Sequence, residues 1–283
     1  MKSTTIILLF ALMLSACGVP TTATEGAIPS GQSDIQIAVT SNDFEAGQPR
    51  VPFVLFSGTR KVADAQRVKL IAFDLTPATP TPGWTGEATS YSDYEVPYWV
   101  AYPDLPHPGF WGLGAEITLA DGSTTAAQFS IQVVEDSSSP AIGARPPASQ
   151  NRTLKTEPDI HKLTSGIDPQ PALYQMTVAE ALESGRASVV AFATPAFCTS
   201  KLCAPVVNSV EAVYEDLGDR ANFIHIEVYK TFDPLVYADE MGEWGLLSEP
   251  WTFVLDKEGK VAHKFGGPVS PRELSEALEP LLQ

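Results

Sequence analysis

The chain has 283 residues, with 18 Lys and Arg against 34 Asp and Glu, for a formal net charge of −16. That balance excludes a nucleic-acid binder, which needs a basic face, and gives no electrostatic pull toward an anionic bilayer. The length suits about two domains, the 44% apolar content supplies ordinary cores, and three cysteines are too few for a disulfide framework.

Lys2 and the apolar run at residues 6–14 read as a secretory signal, too short to span a bilayer. The run ends in Leu14-Ser15-Ala16-Cys17, which resembles a bacterial lipobox. The resemblance implies a lipoprotein signal peptide over 1–16 and lipidation of Cys17, whose acyl chains would anchor the protein in the membrane. The plainer reading is an ordinary cleaved signal with Cys17 as a spare thiol. Residues 17–33, rich in Thr, Gly, Pro and Ser, are expected to form a flexible stalk. No later segment is long and apolar enough to span a membrane, so the expected location is the extracytoplasmic side of the cell membrane, lipid-anchored.

Residues 34–135 alternate like β structure. Ile35, Ile37 and Val39 alternate with polar or small residues, and β-rich runs follow at 51–56, 68–75 and 98–102. Residues 112–119 lead into Asp121-Gly122, a hairpin signal, and 125–134 return as a long strand. No helix is expected between them. Short strands with Pro and Gly turns suggest an antiparallel sandwich. Pro108-Gly-Phe-Trp-Gly-Leu-Gly-Ala-Glu-Ile resembles a late strand of immunoglobulin-like bacterial domains, which implies an Ig-like fold here. The aromatics Trp84, Tyr91, Tyr94, Tyr98, Trp99, Tyr102, Phe110 and Trp111 could line a binding face, but core and corner packing is favoured.

Residues 136–152, with Ser-Ser-Ser-Pro and Arg-Pro-Pro, read as a semi-stiff interdomain linker. Asn151-Arg-Thr spells a glycosylation sequon that carries little weight beside a lipobox. Over 153–283 the chain alternates α with β. Thr177-Val-Ala-Glu180 is a capping box opening a helix that ends near Gly185. Strands are predicted at 188–193 and 222–229, and helices at 205–217 and 233–244. Residues 251–255 and 260–265 form a hairpin around Asp256-Lys-Glu-Gly259. Ser270-Pro-Arg-Glu273 opens a last helix with Leu274, Ala277, Leu278 and Leu281 as its buried stripe.

The chemistry lies in Phe-Cys198-Thr-Ser-Lys-Leu-Cys203-Ala-Pro, a C-x4-C pair between a predicted strand and the helix after it. Together with Ser248-Glu249-Pro250-Trp-Thr-Phe, which looks like a cis-proline segment leading into a strand, it resembles the thioredoxin fold over roughly the last 110 to 130 residues. Phe-Ala-Thr-Pro-Ala-Phe-Cys with Glu-Pro-Trp-Thr-Phe is similar to bacterial membrane-anchored thioredoxin-domain proteins. The resemblance implies thiol–disulfide exchange with extracytoplasmic protein thiols and disulfides. Cys198 at a helix N-terminus would attack as thiolate, aided by Lys201, and Cys203 would resolve. The backbone of Glu249-Pro250 would frame the substrate. No cofactor and no metal are implied, and the oligomeric state is not indicated.

Two departures from that family matter. Five steps along a helix rotate a side chain by about 140° net and advance about 7.5 Å, which is too far for an S–S bond. Cys198 is therefore expected in a loop, with the helix starting near Ser200 or later. The strand before the cysteines also lacks an acid to accept a proton. Glu227 is a weak substitute, more simply read as a surface-end residue of a strand.

Other readings stay open. C-x4-C also occurs in one peroxiredoxin branch, but Ala191 and Pro195 occupy that family's Pro and Thr/Ser positions, and Pro250-Trp251 stands where it has an Arg. An SCO-like copper chaperone would use both thiols and a His, with His225 or His263 as candidates. His225 is more simply a satisfied sheet residue, and His107 and His161 carry no signal. A static disulfide would close too small a loop to stabilise much. From another class comes a non-catalytic, partner-binding lipoprotein on a thioredoxin scaffold. The reading taken forward is an all-β Ig-like sandwich followed by an α/β thioredoxin-like domain acting in thiol exchange.

Overall fold

The computed structural model describes residues 34–62 and 64–283. The signal peptide, Cys17 and the stalk lie outside the described residues. Among the described residues no helix is long and apolar enough to cross a membrane.

Residues 35–133 fold as two antiparallel sheets without an intervening helix. One orders β1 (Ile35–Val39), β2 (Val51–Ser57), β7 (Tyr98–Ala101) and β6 (Thr89–Tyr91), with the short β3 (Arg60–Lys61) also on β2. The other orders β5 (Thr81–Glu87), β4 (Ala65–Asp74), β8 (Gly109–Leu119) and β9 (Thr124–Val133). Alternation explains the packing: Val68, Leu70 and Ala72 on β4 point inward, as do Leu113, Ala115 and Ile117 on β8. They meet Phe53, Leu55 and Trp99 of the first sheet in one core. The expected strands are present. Sequence reading missed β5 because Pro82 and Gly83 hide it, but an edge strand tolerates both. Tyr91, Tyr94, Tyr98, Trp99 and Trp111 are buried, which fits packing, while Tyr102 and Phe110 are exposed.

In the C-terminal half, β10 (Ser188–Ala193) runs parallel to β11 (Asn222–Glu227) and antiparallel to β14 (Trp251–Leu255), which pairs antiparallel with β15 (Val261–Gly266). The crossover from β10 to β11 is α2 (Cys203–Leu217). On one face of the sheet, α2 and α4 (Pro271–Leu278) bury Val206, Val210, Leu274 and Leu278 against Val189 and Val254. On the other, α1 (Val178–Leu182) and α3 (Asp239–Glu243) cover Phe192, Ile224 and Phe253 with Val178, Met241 and the adjoining Trp244. The Thr177 capping box and the Ser270 cap form as expected. This is the element order that a thioredoxin resemblance implies.

One predicted helix is wrong. Residues 233–237 turn and pair instead: β12 (Tyr229–Phe232) and β13 (Leu235–Tyr237) make a hairpin around a cis Asp233–Pro234 bond, leaving only α3 helical. Tyr229 stacks on Tyr237 across the hairpin, with ring centroids 5.0 Å apart, a cross-strand pair that a helix over these residues would not form.

The segment 136–152 is fixed to both halves. Ser139 Oγ donates to Asp43 at 3.0 Å. Gly143 and Ala144 exchange backbone hydrogen bonds with Val261 at 2.7 and 2.9 Å. Ser149 bonds to Glu243 and accepts from Trp244 Nε1. A buried ion pair also ties the halves: Arg50 holds the Glu273 carboxylate through Nε and Nη2 at 2.8 and 2.7 Å.

Candidate functional site

After β10 the chain turns through Thr194 to Phe197 and reaches Cys198 ahead of α2, as the spacing predicts. The helix begins at Cys203. Between them Lys201 takes a left-handed φ of 60°, uncommon for a residue with a side chain. That reversal brings the first helical residue back toward Cys198, so the Cys203 N–H donates to Cys198 Sγ at 3.3 Å. Ser200 Oγ lies 3.1 Å from the same sulfur. Both cysteines are free thiols. Cys203 is fully buried beside Ala193 and Val207, and Cys198 is half-buried at the surface of that cluster.

Opposite them the Glu249–Pro250 bond is cis, immediately before β14. The Pro250 carbonyl accepts from the Gly267 N–H at 2.9 Å. Gly267 has φ of 86°, and a Cβ there would lie 2.2 Å from the Thr40 carbonyl oxygen, so the residues after β1 press directly on this loop. A carboxylate oxygen of Glu249 and the two sulfurs lie within 4.8 Å of one another. Among the described residues this is the only cluster of three His, Cys, Asp or Glu side chains close enough to share a metal, and neither His225 nor His263 joins it.

The two thiols are driven apart in acidity. The Cys203 S–H donating to Cys198 is the largest effect holding Cys198 down to about 5. Burial opposes it, and Ser200 with the N–H groups of Cys203 and Leu202 adds to it. Cys203 is pushed far up by that same hydrogen bond and by burial. Burial and the neighbouring Cys198 charge raise Glu249. The outer sulfur is thus the thiolate, seated on the N-terminus of a helix, and the inner one keeps its proton. Alkylation of Cys198 by iodoacetamide is expected to rise as pH climbs through about 5 and to be flat by neutrality. A midpoint near 8 to 9, measured by mass spectrometry of quenched samples, would show an ordinary thiol.

No protein-family model and no curated protein matches the chain. Among solved structures it is similar to a thiol:disulfide interchange protein of the thioredoxin family from Chlorobium tepidum TLS, at 16% identity over 50% of this chain and 99% of that one, with a TM-score of 0.34. A thio-disulfide isomerase from Thermus thermophilus shares 26% identity over 38% and 86% of the respective chains, TM-score 0.30. CopC from Methylosinus trichosporium OB3b shares 14% over 33% and 83%, TM-score 0.25.

Other residues singled out in the sequence lie as follows. His225 is buried, with Nδ1 2.6 Å from the Tyr174 hydroxyl and Nε2 3.0 Å from the Ala193 carbonyl. His263 sits on β15, exposed. Glu227 is not a surface residue: it is 4% exposed and accepts from the N–H and hydroxyl of Ser165 at 2.8 and 2.7 Å. Ser165 Oγ in turn accepts from the Ala196 N–H at 3.1 Å, so Glu227 braces the loop that carries Cys198. Lys201 is exposed, and its visible contribution is its backbone conformation. Sequence reading missed the carboxylate of Glu249 as a neighbour of the thiols, and Ser200. It also missed an aromatic cluster beside the site, in which Phe197 packs on Tyr229 and Phe232.

Proposed function

We propose that the protein is a thiol–disulfide oxidoreductase acting on protein thiols and disulfides through Cys198 and Cys203. The carrying observation is the pair itself: two free thiols facing each other at a helix N-terminus, one accessible and acidic, one buried and protonated. In the reducing direction, the Cys198 thiolate attacks a substrate disulfide, forming a mixed disulfide and expelling the first substrate thiolate. Cys203 then gives its proton to the Glu249 carboxylate and attacks Cys198 Sγ. The second substrate thiolate leaves and takes the proton from Glu249. The substrate gains two electrons and the dithiol becomes a disulfide, which a partner dithiol must reduce again. The oxidising direction is the reverse. The backbone at Glu249–Pro250 frames the substrate chain.

The setting proposed for this chemistry is extracytoplasmic. Cys17 anchors the chain by lipid, 17–33 is the stalk, 34–135 is an Ig-like domain, 136–152 connects, and 153–283 is a thioredoxin-like domain.

Insulin reduction with dithiothreitol as electron donor tests the reading. Turnover above the dithiothreitol background supports it; none, with a correctly folded protein, defeats it. Glu249→Gln is expected to slow the resolving step by about 100-fold or more, because a general base is removed. In rapid-quench samples the mixed disulfide should then persist, and a variant that resolves at the parent rate would remove Glu249 from the proton path.

A further inference from the structure

A groove of about 470 Å³ runs from the thiol loop to the β-sandwich. Its C-terminal wall is Ser200, Lys201, Leu202, Ser248 and Glu249, and its N-terminal wall includes Val39, Thr40, Val54, Phe56 and Lys61. It therefore begins at the Glu249 carboxylate, which lies within 4.8 Å of both sulfurs, and continues across the outer face of the first sheet, over β1, β2 and β3. The two walls are held together. Ser248 Oγ bonds to Asn42 Oδ1 at 3.0 Å, and Leu202 is buried in a cluster with Val54, Val96 and Tyr98.

The lining is mainly apolar, and its charged side chains are Lys61, Lys201 and Glu249. Neither lysine has an ion-pair partner among the described residues, in a chain whose net charge is −16. Two unpaired cations at an apolar groove in an acidic protein mark where a complementary anion would sit. The floor is a row of side chains on paired strands, so an extended chain laid across it would be held by apolar contacts and by the lysines.

We propose that the sandwich supplies half of the substrate site: the groove takes an extended, apolar polypeptide segment bearing an acidic side chain near its reactive cysteine. This deepens the oxidoreductase reading and rests on it for the role of the thiols, but not for the binding itself. It gives the N-terminal half the task of selecting which disulfides reach Cys198. Glu249 guards the thiol end of the groove, so the acidic residue belongs at the Lys61 end.

The test uses two labelled peptides, identical except for Glu or Lys a few residues from a single cysteine activated as its thionitrobenzoate disulfide. Mixed-disulfide formation with the full-length Cys203→Ser protein, at low salt, should be about fivefold faster for the Glu peptide. Lys61→Glu should reverse that preference, and Lys61→Arg should keep it. Equal rates for both peptides, or a Lys61→Glu preference unchanged from the parent, would overturn the proposal. Fluorescence anisotropy of the non-activated peptides on Cys198→Ser protein gives a readout without redox chemistry. Selective binding there with no mixed disulfide on Cys203→Ser would defeat the oxidoreductase reading and keep the groove. A peptide of residues 18–33 that competes more strongly than the Glu peptide would assign the groove to this chain's own N-terminal segment and overturn the proposal.

Discussion

Replacing Cys198 with Ser is expected to lower insulin reduction by about a thousandfold or more, to the uncatalysed rate, whereas Cys203→Ser should stop turnover but leave the first chemical step running. The difference follows from where the sulfurs sit. Cys198 is half-buried, held as thiolate chiefly by the Cys203 S–H and further by Ser200 and the Cys203 N–H, and a serine hydroxyl in its place has no comparable acidity. Cys203 is fully buried behind Cys198, with the Glu249 carboxylate nearby, so it can expel a bound substrate but cannot begin an exchange. A Ser at 203 still offers an O–H to the Cys198 thiolate and keeps the helix N–H in place, so attack persists. Intact-mass analysis of the Cys203→Ser protein should show one covalent substrate adduct, removed by dithiothreitol. Equal loss of adduct in both variants would mean that the two thiols do not divide the work in this way.

The C-terminal half was largely legible because its signals are local: capping residues at Thr177 and Ser270, the apolar strand 188–193, and the hairpin around Asp256. The loop position of Cys198 was also legible, since the reach of a regular helix excludes the alternative. The left-handed Lys201 that achieves it was not, because nothing in a single lysine announces its φ. The hairpin at 229–237 was lost for a similar reason: its pairing depends on Tyr229 meeting Tyr237 across a turn, and the run alone does not show that. Glu249 illustrates a deeper limit. Its place before Pro250 marked it for the substrate backbone, but its carboxylate matters through proximity to residues about fifty positions earlier, which only the fold creates. Glu227 looked like a strand-end residue because its partner, Ser165, comes from a segment without regular structure.

Arg50 and Glu273 were invisible for the same reason, lying 223 positions apart, and their loss should have the largest effect on stability. Arg50 gives Nε and Nη2 to Glu273 and makes two further bonds, from Nη1 to the Gly266 carbonyl at 3.2 Å and from Nη2 to the Pro268 carbonyl at 2.7 Å. The Tyr98 hydroxyl also donates to Glu273 and accepts from the Ser270 N–H at 2.8 Å. Both charged side chains are less than a tenth exposed. Arg50→Met strands a buried carboxylate and two carbonyls, a change that costs about 3–5 kcal/mol. For a chain of this size that corresponds to a fall of roughly 6–20 °C in Tm, read by calorimetry. Arg50→Met combined with Glu273→Leu removes both charges and should recover most of the loss, as apolar replacements of buried pairs do. A single variant within about 1 kcal/mol of the parent, or a double variant no better than the single, would show that the pair does not bear on stability. The consequence extends to the thiols. The carbonyls that Arg50 holds flank Gly267, whose N–H fixes the Pro250 carbonyl, and Pro250 places Glu249. Loosening this segment should therefore slow the resolving step in the Arg50→Met protein even at temperatures where it remains folded.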